Sequence, residues 1–221
     1  MSKGLQSFLT VLVSLGVPPL VLLGVSLASG GALAPGVALI AGGVFGLGYG
    51  LEAGLLRSYD LSTGVGWVGL IVDLTWSLPN TVFGFLIGNL TYVWFGNLSR
   101  SNSDGQGWIV FMPRPGSSFG RTVLQTLGTV NIGGAGQHEK MHLLQARIFG
   151  PLYLPFVGAS YVITFTLQVL WTITLGGLLK LIGVRQKAYF RPPAHSAVGG
   201  FFGWIYYATP IELWAYATGN P

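Results

Sequence analysis

The stretch LQSFLTVLVSLGVPPLVLLGVSLAS, residues 5–29, contains no charged residue. A helix that crosses the hydrocarbon core of a bilayer needs roughly 20 mostly apolar residues, so this stretch is long enough to span a membrane. Lys3 precedes it and small residues follow it, as in a signal peptide. The apolar region of a signal peptide is usually only about 7–15 residues long, however. We therefore expect a retained membrane helix.

The rest of the chain has the composition of an integral membrane protein. Of its 221 residues, 51% are hydrophobic and 8% are charged, and the mean hydropathy is +0.61. Water-soluble domains are more polar than this. Three further stretches are long and apolar enough to cross a bilayer, namely 33–56, 66–95 and 154–182. The sequence thus predicts an all-α polytopic protein with about four transmembrane or re-entrant segments in a lipid bilayer.

The net charge of +5 is unevenly distributed. A basic cluster follows the fourth apolar stretch and consists of Lys180, Arg185, Lys187 and Arg191. Such clusters usually face the cytoplasm and anionic lipid headgroups. The basic residues are not interleaved with base-stacking aromatics in a soluble module, so we expect no nucleic-acid partner. The chain has no cysteine, which excludes disulfides and thiolate metal sites.

The second apolar stretch carries glycine at every fourth position over four turns, at Gly42, Gly46, Gly50 and Gly54. Residues four apart lie on one helix face, and small residues there let two helices approach closely in lipid. The ladder therefore predicts a helix-packing face. The alternative is that glycine is simply abundant, with 35 in the chain.

The third apolar stretch contains the ionisable Asp73 and is interrupted at Pro79-Asn80. Proline removes a backbone donor and bends a helix. The segment is therefore either a kinked span or two half-helices of a re-entrant hairpin. We favour the re-entrant form, because it places the basic region 97–147 on the cytoplasmic side.

The chain turns polar and glycine-rich over 97–136, between an N-terminal membrane part, 1–96, and a C-terminal part, 137–221. We treat the three parts as one integrated membrane domain. In the polar part, GWIVFMPRP and RTVLQTLGTVNIG are short β-prone runs punctuated by Gly and Pro. They predict a small ribbon at the membrane surface, with irregular loop as the alternative.

The sequence HEKMH, residues 138–142, concentrates scarce polar groups, because the whole chain has three histidines and six acidic residues. His138 and His142 are four apart, so on a helix both imidazoles can reach one metal ion. In HExxH sites the glutamate, here Glu139, moves a proton from the attacking water to the leaving amine. The pattern predicts a zinc site that hydrolyses amide bonds. The alternative is an interfacial amphipathic helix over 137–149 without a metal.

An open zinc site needs a third protein ligand, for which Asp73, His195 and Glu212 are candidates. Asp73 is an ionisable group in an apolar span, which marks either function or a buried partner. His195 lies in a basic loop. Glu212 follows Thr209 at the spacing of a capping box, in which its carboxylate would turn back to the Thr209 amide. Sequence reasoning leaves cap and ligand equally open for Glu212.

The segment HEKMHLLQARIFGPLYLP, residues 138–155, resembles a group of uncharacterised bacterial membrane proteins regarded as gluzincin-like zinc metallopeptidases. The resemblance implies that His138 and His142 are ligands, Glu139 is the catalytic base and Glu212 is the third ligand. It also implies a location in the bacterial inner membrane. It is looser for the third stretch and for IELWAY near the C-terminus, and it is absent from the first two stretches. Lys140 departs from the small or apolar residue usual at that position.

Other residues receive supporting roles in this hypothesis. Gln145, one turn further along the ligand face, is expected to orient a ligand or a peptide or protein substrate. His195 is a candidate donor to a developing oxyanion, and Asp73 is a candidate to orient a ligand histidine. The alternative from another class is a structural or assembly subunit, held by neighbouring subunits of a larger membrane complex, that keeps a peptidase-like site without catalysis. A transporter is disfavoured, because no inverted repeat is visible.

Overall fold

The computed structural model describes residues 1–114, 125–133, 136–183 and 200–218. This part of the chain is mostly helical with one small sheet, as the sequence predicts. Its elements in chain order are α1 (Lys3–Ala28), α2 (Pro35–Leu56), α3 (Gly64–Leu74), α4 (Leu78–Phe95), β1 (Gly96–Leu98), α5 (Arg100–Ser103), β2 (Ile109–Pro113), β3 (Gln125–Leu127), β4 (Val130–Ile132), α6 (Gln137–Phe149), α7 (Tyr153–Ile173), α8 (Leu175–Leu181), α9 (Gly200–Ala208) and α10 (Pro210–Thr218). A 3-10 turn, Gly150–Leu152, joins α6 to α7.

Within the described residues, three helical segments are long and apolar enough to cross a membrane. They are α1, α2 and the continuous stretch Gln137–Ile173, and the bent pair α3–α4 would be a fourth. The first two are tied together by the glycine ladder. A Cβ on Gly46 would lie 2.0 Å from the Ser14 carbonyl oxygen, and one on Gly42 would lie 2.5 Å from Pro19 Cα. The ladder thus lies against α1 of the same chain.

The third apolar stretch is broken between α3 and α4, whose axes differ by 84°. The break lies at residues 75–77, earlier than the predicted Pro79-Asn80, because Pro79 is the second residue of α4. Proline is tolerated in the first turn of a helix, where its missing N–H would have had no intrahelical partner. A bend of this size is typical of both a broken span and a re-entrant loop.

The polar region forms a four-stranded sheet in the order β1-β2-β4-β3. β2 and β4 are parallel, and each outer strand is antiparallel to its neighbour. The expected ribbon is therefore present, although residues 115–124 lie outside the described part. A two-residue turn at Gly128 (φ +58°) joins β3 to β4, and a Cβ there would lie 2.3 Å from the Asn80 carbonyl oxygen. The hairpin is thus seated on the start of α4.

Side chains at and just after the α3–α4 break bind the C-terminal end of α6. The last carbonyl groups of a helix have no intrahelical partner and need other donors. Three side chains at the break supply these donors: Trp76 Nε1 to the Ile148 carbonyl (3.2 Å), Ser77 Oγ to the Ala146 carbonyl (3.0 Å) and Asn80 Nδ2 to the Gly150 carbonyl (2.7 Å). The helix that carries HEKMH is thereby fixed to the bent pair α3–α4.

Candidate metal site

Three side chains from two helices converge at one point. His138 and His142 come from α6 and Glu212 comes from α10. Glu212 Oε2 lies 3.1 Å from His138 Nε2 and 3.4 Å from His142 Nε2. The two Nε2 atoms are 3.2 Å apart. These atoms form a nearly equilateral triangle of two nitrogens and one oxygen, which could hold a metal ion.

The triangle has the size that zinc requires. Ligand atoms about 2.0–2.1 Å from a tetrahedral ion are roughly 3.3–3.4 Å from one another, close to the three distances found here. Glu212 Oε2 is buried and lies against the Nε2 atoms of both histidines. Nitrogen and oxygen atoms that approach this closely need a proton or a metal ion between them. Two histidines and one carboxylate also match the ligand set of a catalytic rather than a structural zinc site.

Gln145 fixes the chemical state of His142. Its amide Nε2 donates to the Ile211 carbonyl at 3.0 Å, which settles which end of the amide is which. Its Oε1 therefore accepts from His142 Nδ1, 2.9 Å away. His142 thus carries a proton on Nδ1, and Nε2 is the nitrogen that faces the triangle and would bind a metal ion. Gln145 also ties α6 to the residue before Glu212, and so sets the spacing of the two ligand helices.

Glu212 is directed to the histidines and not to a capping position. The Thr209 hydroxyl donates to the Ile205 carbonyl at 2.7 Å, while Glu212 Oε1 accepts from the Tyr161 hydroxyl at 3.2 Å. Burial raises the pKa of the Glu212 carboxyl, but hydrogen bonds and charge from the two histidines outweigh this and lower it to about 2. The carboxylate is therefore ionised, as a metal ligand must be.

His138 is supported differently from His142. Its ring lies against Tyr216 of α10, with centroids 4.2 Å apart. Its Nδ1 is buried and has no hydrogen-bond partner among residues 1–114, 125–133, 136–183 and 200–218. On the Nδ1 side, a ring contact rather than a hydrogen bond thus supports the His138 imidazole in the described structure.

The Glu139 carboxylate is hydrogen-bonded to the β3–β4 hairpin. Thr126 Oγ1 donates to Glu139 Oε2 at 2.7 Å, and Asn131 Nδ2 donates to Thr126 Oγ1 at 3.1 Å. All three side chains are buried. Sequence reasoning missed Thr126 and Asn131. The β-prone run around Gly128 signals a hairpin that pairs the two residues, but nothing in it shows that the hairpin lies on α6.

The role expected for Asp73 is corrected by the structure. Arg147 of α6 donates to Asp73 Oδ1 from Nε at 2.9 Å and to Oδ2 from a terminal nitrogen at 2.6 Å. The Tyr59 hydroxyl also donates to Oδ2, at 2.7 Å. The buried Asp73 therefore pairs with the partly buried Arg147, and it belongs neither to the group that could hold a metal ion nor to the hydrogen-bond partners of the two histidines. His195 lies outside the described residues, as do Arg185, Lys187 and Arg191 of the basic cluster.

Comparison with known proteins gives no match. No family model matches the chain, and no curated protein or solved structure is significantly similar to it. The candidate function therefore depends on the geometry of the site and on the motif in the sequence.

Proposed function

We propose that this protein is a membrane-embedded zinc-dependent hydrolase that cleaves amide bonds in peptides or proteins. The observation that carries the proposal is the triangle of His138, His142 and Glu212, whose edges of 3.1, 3.2 and 3.4 Å fit a tetrahedral ion. Residues 138–155 also resemble uncharacterised bacterial membrane proteins that are regarded as zinc metallopeptidases, which supports the same kind of site.

The side chains of the site divide into metal ligands and a group that transfers protons. His138, His142 and Glu212 would hold the ion. Bound zinc would lower the pKa of a water molecule toward about 7 and polarise a substrate carbonyl. Glu139 would accept the proton of the attacking water and pass it to the leaving amine, as its position beside His138 in HExxH requires. Gln145 would keep the lone pair of His142 directed at the ion.

The competing proposal is a non-catalytic subunit of a larger membrane complex. The glycine ladder no longer favours it, because α1 of the same chain occupies that face. Many apolar side chains on α1, α2 and α7 are exposed, but lipid covers such surfaces as readily as neighbouring subunits do. The convergence of three ligand atoms favours the hydrolase.

The first test is metal content by elemental mass spectrometry on detergent-purified protein. Wild type should contain nearly one zinc per chain, and His142→Ala should contain almost none. Lys140→Ala is the matched control, because Lys140 lies on the same helix but donates to Gln106 Oε1, 2.7 Å away, at the surface. It should retain the metal. Metal-free wild type after purification without chelators would favour the subunit.

Catalysis is tested separately with Glu139→Gln. This variant should retain zinc but lose cleavage of a fluorogenic peptide mixture presented in detergent micelles or liposomes. General acid–base groups contribute about 10²–10⁴-fold to rate, so the loss should be at least a hundredfold. Cleavage at the wild-type rate would remove Glu139 from the mechanism.

A further inference from the structure

We propose that Thr126 is a positioning residue for Glu139 and that Asn131 holds Thr126 in place. The hydrogen-bonded Thr126–Asn131 pair fixes one oxygen of the Glu139 carboxylate, which leaves the other oxygen to accept the proton of the attacking water. The inference rests on the proposed function and adds two residues from outside the HExxH helix. It places part of the reactive apparatus on the β3–β4 hairpin.

The two hydrogen bonds of the Thr126–Asn131 pair run in the same direction, from Asn131 through Thr126 to Glu139. Thr126 and Asn131 are paired across the hairpin in antiparallel register. The Asn131 amide nitrogen donates to Thr126 Oγ1 at 3.1 Å, so the threonine oxygen is already an acceptor. Its own hydrogen is directed to Glu139 Oε2, 2.7 Å away. A donor at each step ends on the carboxylate, so the two hydrogen bonds fix the position of Glu139 Oε2.

Burial makes the arrangement selective for one orientation of Glu139. The side chains of Glu139 and Thr126 are 3% and 8% exposed, and Asn131 is fully buried. A buried carboxylate that loses a hydrogen-bond donor has no water to replace that donor, so it must rotate to find another. The hairpin is itself seated on α4 through Gly128. The Thr126–Asn131 pair is therefore held in place by the packing of the hairpin on α4, and it holds Glu139 in turn.

The test uses acetohydroxamic acid as a probe, because its anion binds metals and its hydroxyl proton passes to a neighbouring base. Its affinity is read from the visible spectrum of protein loaded with Co²⁺ in place of zinc, so no substrate is needed. Thr126→Val should weaken binding by about tenfold, the lower end expected for a lost hydrogen bond to a charged group. Thr126→Ser restores the hydroxyl and should bind within about threefold of wild type.

Two controls separate positioning from general damage. Thr129→Val removes a buried hydroxyl from the same hairpin and leaves the hydrogen bond between Thr126 and Glu139 in place, so it should bind the probe as wild type does. In a Glu139→Gln background, Thr126→Val should cause no further loss, because its effect runs through the carboxylate.

Each contrary outcome overturns the inference. Wild-type affinity in Thr126→Val, an equal loss in the Glu139→Gln background, or failure of Thr126→Ser would show that the hydroxyl does not act through Glu139. Loss of Co²⁺ itself from Thr126→Val would assign the residue to the fold or the metal instead. Failure of wild type to bind Co²⁺ or zinc would overturn the proposed function and this inference with it, whereas normal metal binding without coupling would overturn this inference alone.

Discussion

Two buried polar clusters share the helix α6, and they differ in the kinds of groups that they bring together. In the first, Arg147 meets both oxygens of Asp73 and the Gly107 carbonyl, and Tyr59 adds a further donor to the carboxylate. In the second, His138 Nε2, His142 Nε2 and Glu212 Oε2 lie 3.1–3.4 Å from one another, in positions that could hold a metal ion. The first cluster is an ion pair closed by donors from the chain, whereas the second is a set of potential metal ligands.

The difference separates a structural cluster from a binding site. Buried charges persist in proteins when partners of opposite charge and hydrogen bonds satisfy them. The Arg147–Asp73 pair meets this condition and ties α6 to α3. The triangle instead brings one carboxylate together with two imidazoles, all of them groups that bind metal ions. An ionisable residue in an apolar stretch, such as Asp73, is therefore not functional by default, and the chemistry of its neighbours distinguishes the two cases.

The largest expected effect is on the Arg147–Asp73 pair. Arg147→Met leaves Asp73 buried without its cation, and removing one partner of a buried pair typically costs about 3–5 kcal/mol. We expect a loss of this size in the free energy of unfolding, measured by chemical unfolding in mixed micelles. The double variant Asp73→Leu, Arg147→Met should be more stable than Arg147→Met alone, since no charge is left unpaired. Near-wild-type stability of Arg147→Met would contradict the contrast between the clusters.

A smaller effect is expected when the triangle binds a metal ion. A ligand that binds only the folded state stabilises it by about 2.7 kcal/mol at 100 times its dissociation constant. Zinc should therefore raise the unfolding midpoint of metal-free wild type. The same addition should leave His142→Ala unchanged, because its triangle has lost a corner. A rise of equal size in both proteins would show that zinc binds elsewhere.

The next effect concerns the residue that links the two ligand helices. Gln145→Leu removes the acceptor for His142 Nδ1 and the donor to the Ile211 carbonyl, and loss of such support typically costs 10–100-fold in metal affinity, or about 1.4–2.7 kcal/mol. Zinc affinity measured by competition with a chelator should fall by this factor. Leu144→Ala is the control, because that side chain lies on the same helix and is largely exposed. An unchanged affinity in Gln145→Leu would leave His142 oriented by other groups.

The sequence is sufficient to predict the groups that local spacing determines. Apolar length predicts the long helices, the four-residue period of Gly42 to Gly54 predicts a packing face, and HEKMH places two histidines on one side of α6. Gln145 follows from the same helical spacing. Each of these features depends only on residues within one helix, so no knowledge of the tertiary structure is needed.

The partners that cross between elements could not be predicted in this way. Asp73 stands out as an ionisable residue in an apolar stretch, but its partner Arg147 is 74 positions away in the chain. The sequence is consistent with Glu212 as either a helix cap or a metal ligand. Only the packing of α10 against α6 decides between these two roles. Thr126 contacts Glu139 because the hairpin lies on α6. The spacing of residues along the sequence does not show which residues of different elements will be in contact.

The smallest effect is expected for an ion pair that water can replace. Lys3 Nζ lies 3.5 Å from Asp104 Oδ2, with the side chains 65% and 39% exposed. Exposed pairs usually contribute about 0–1 kcal/mol, because water solvates each charge when the other is removed. Lys3→Ala should therefore unfold within about 1 kcal/mol of wild type in the same micelle assay that detects Arg147→Met. An equal loss in the free energy of unfolding for Lys3→Ala and Arg147→Met would show that burial is not the cause of the large effect at Asp73. The number of hydrogen-bond donors around each charge would then have to explain that effect.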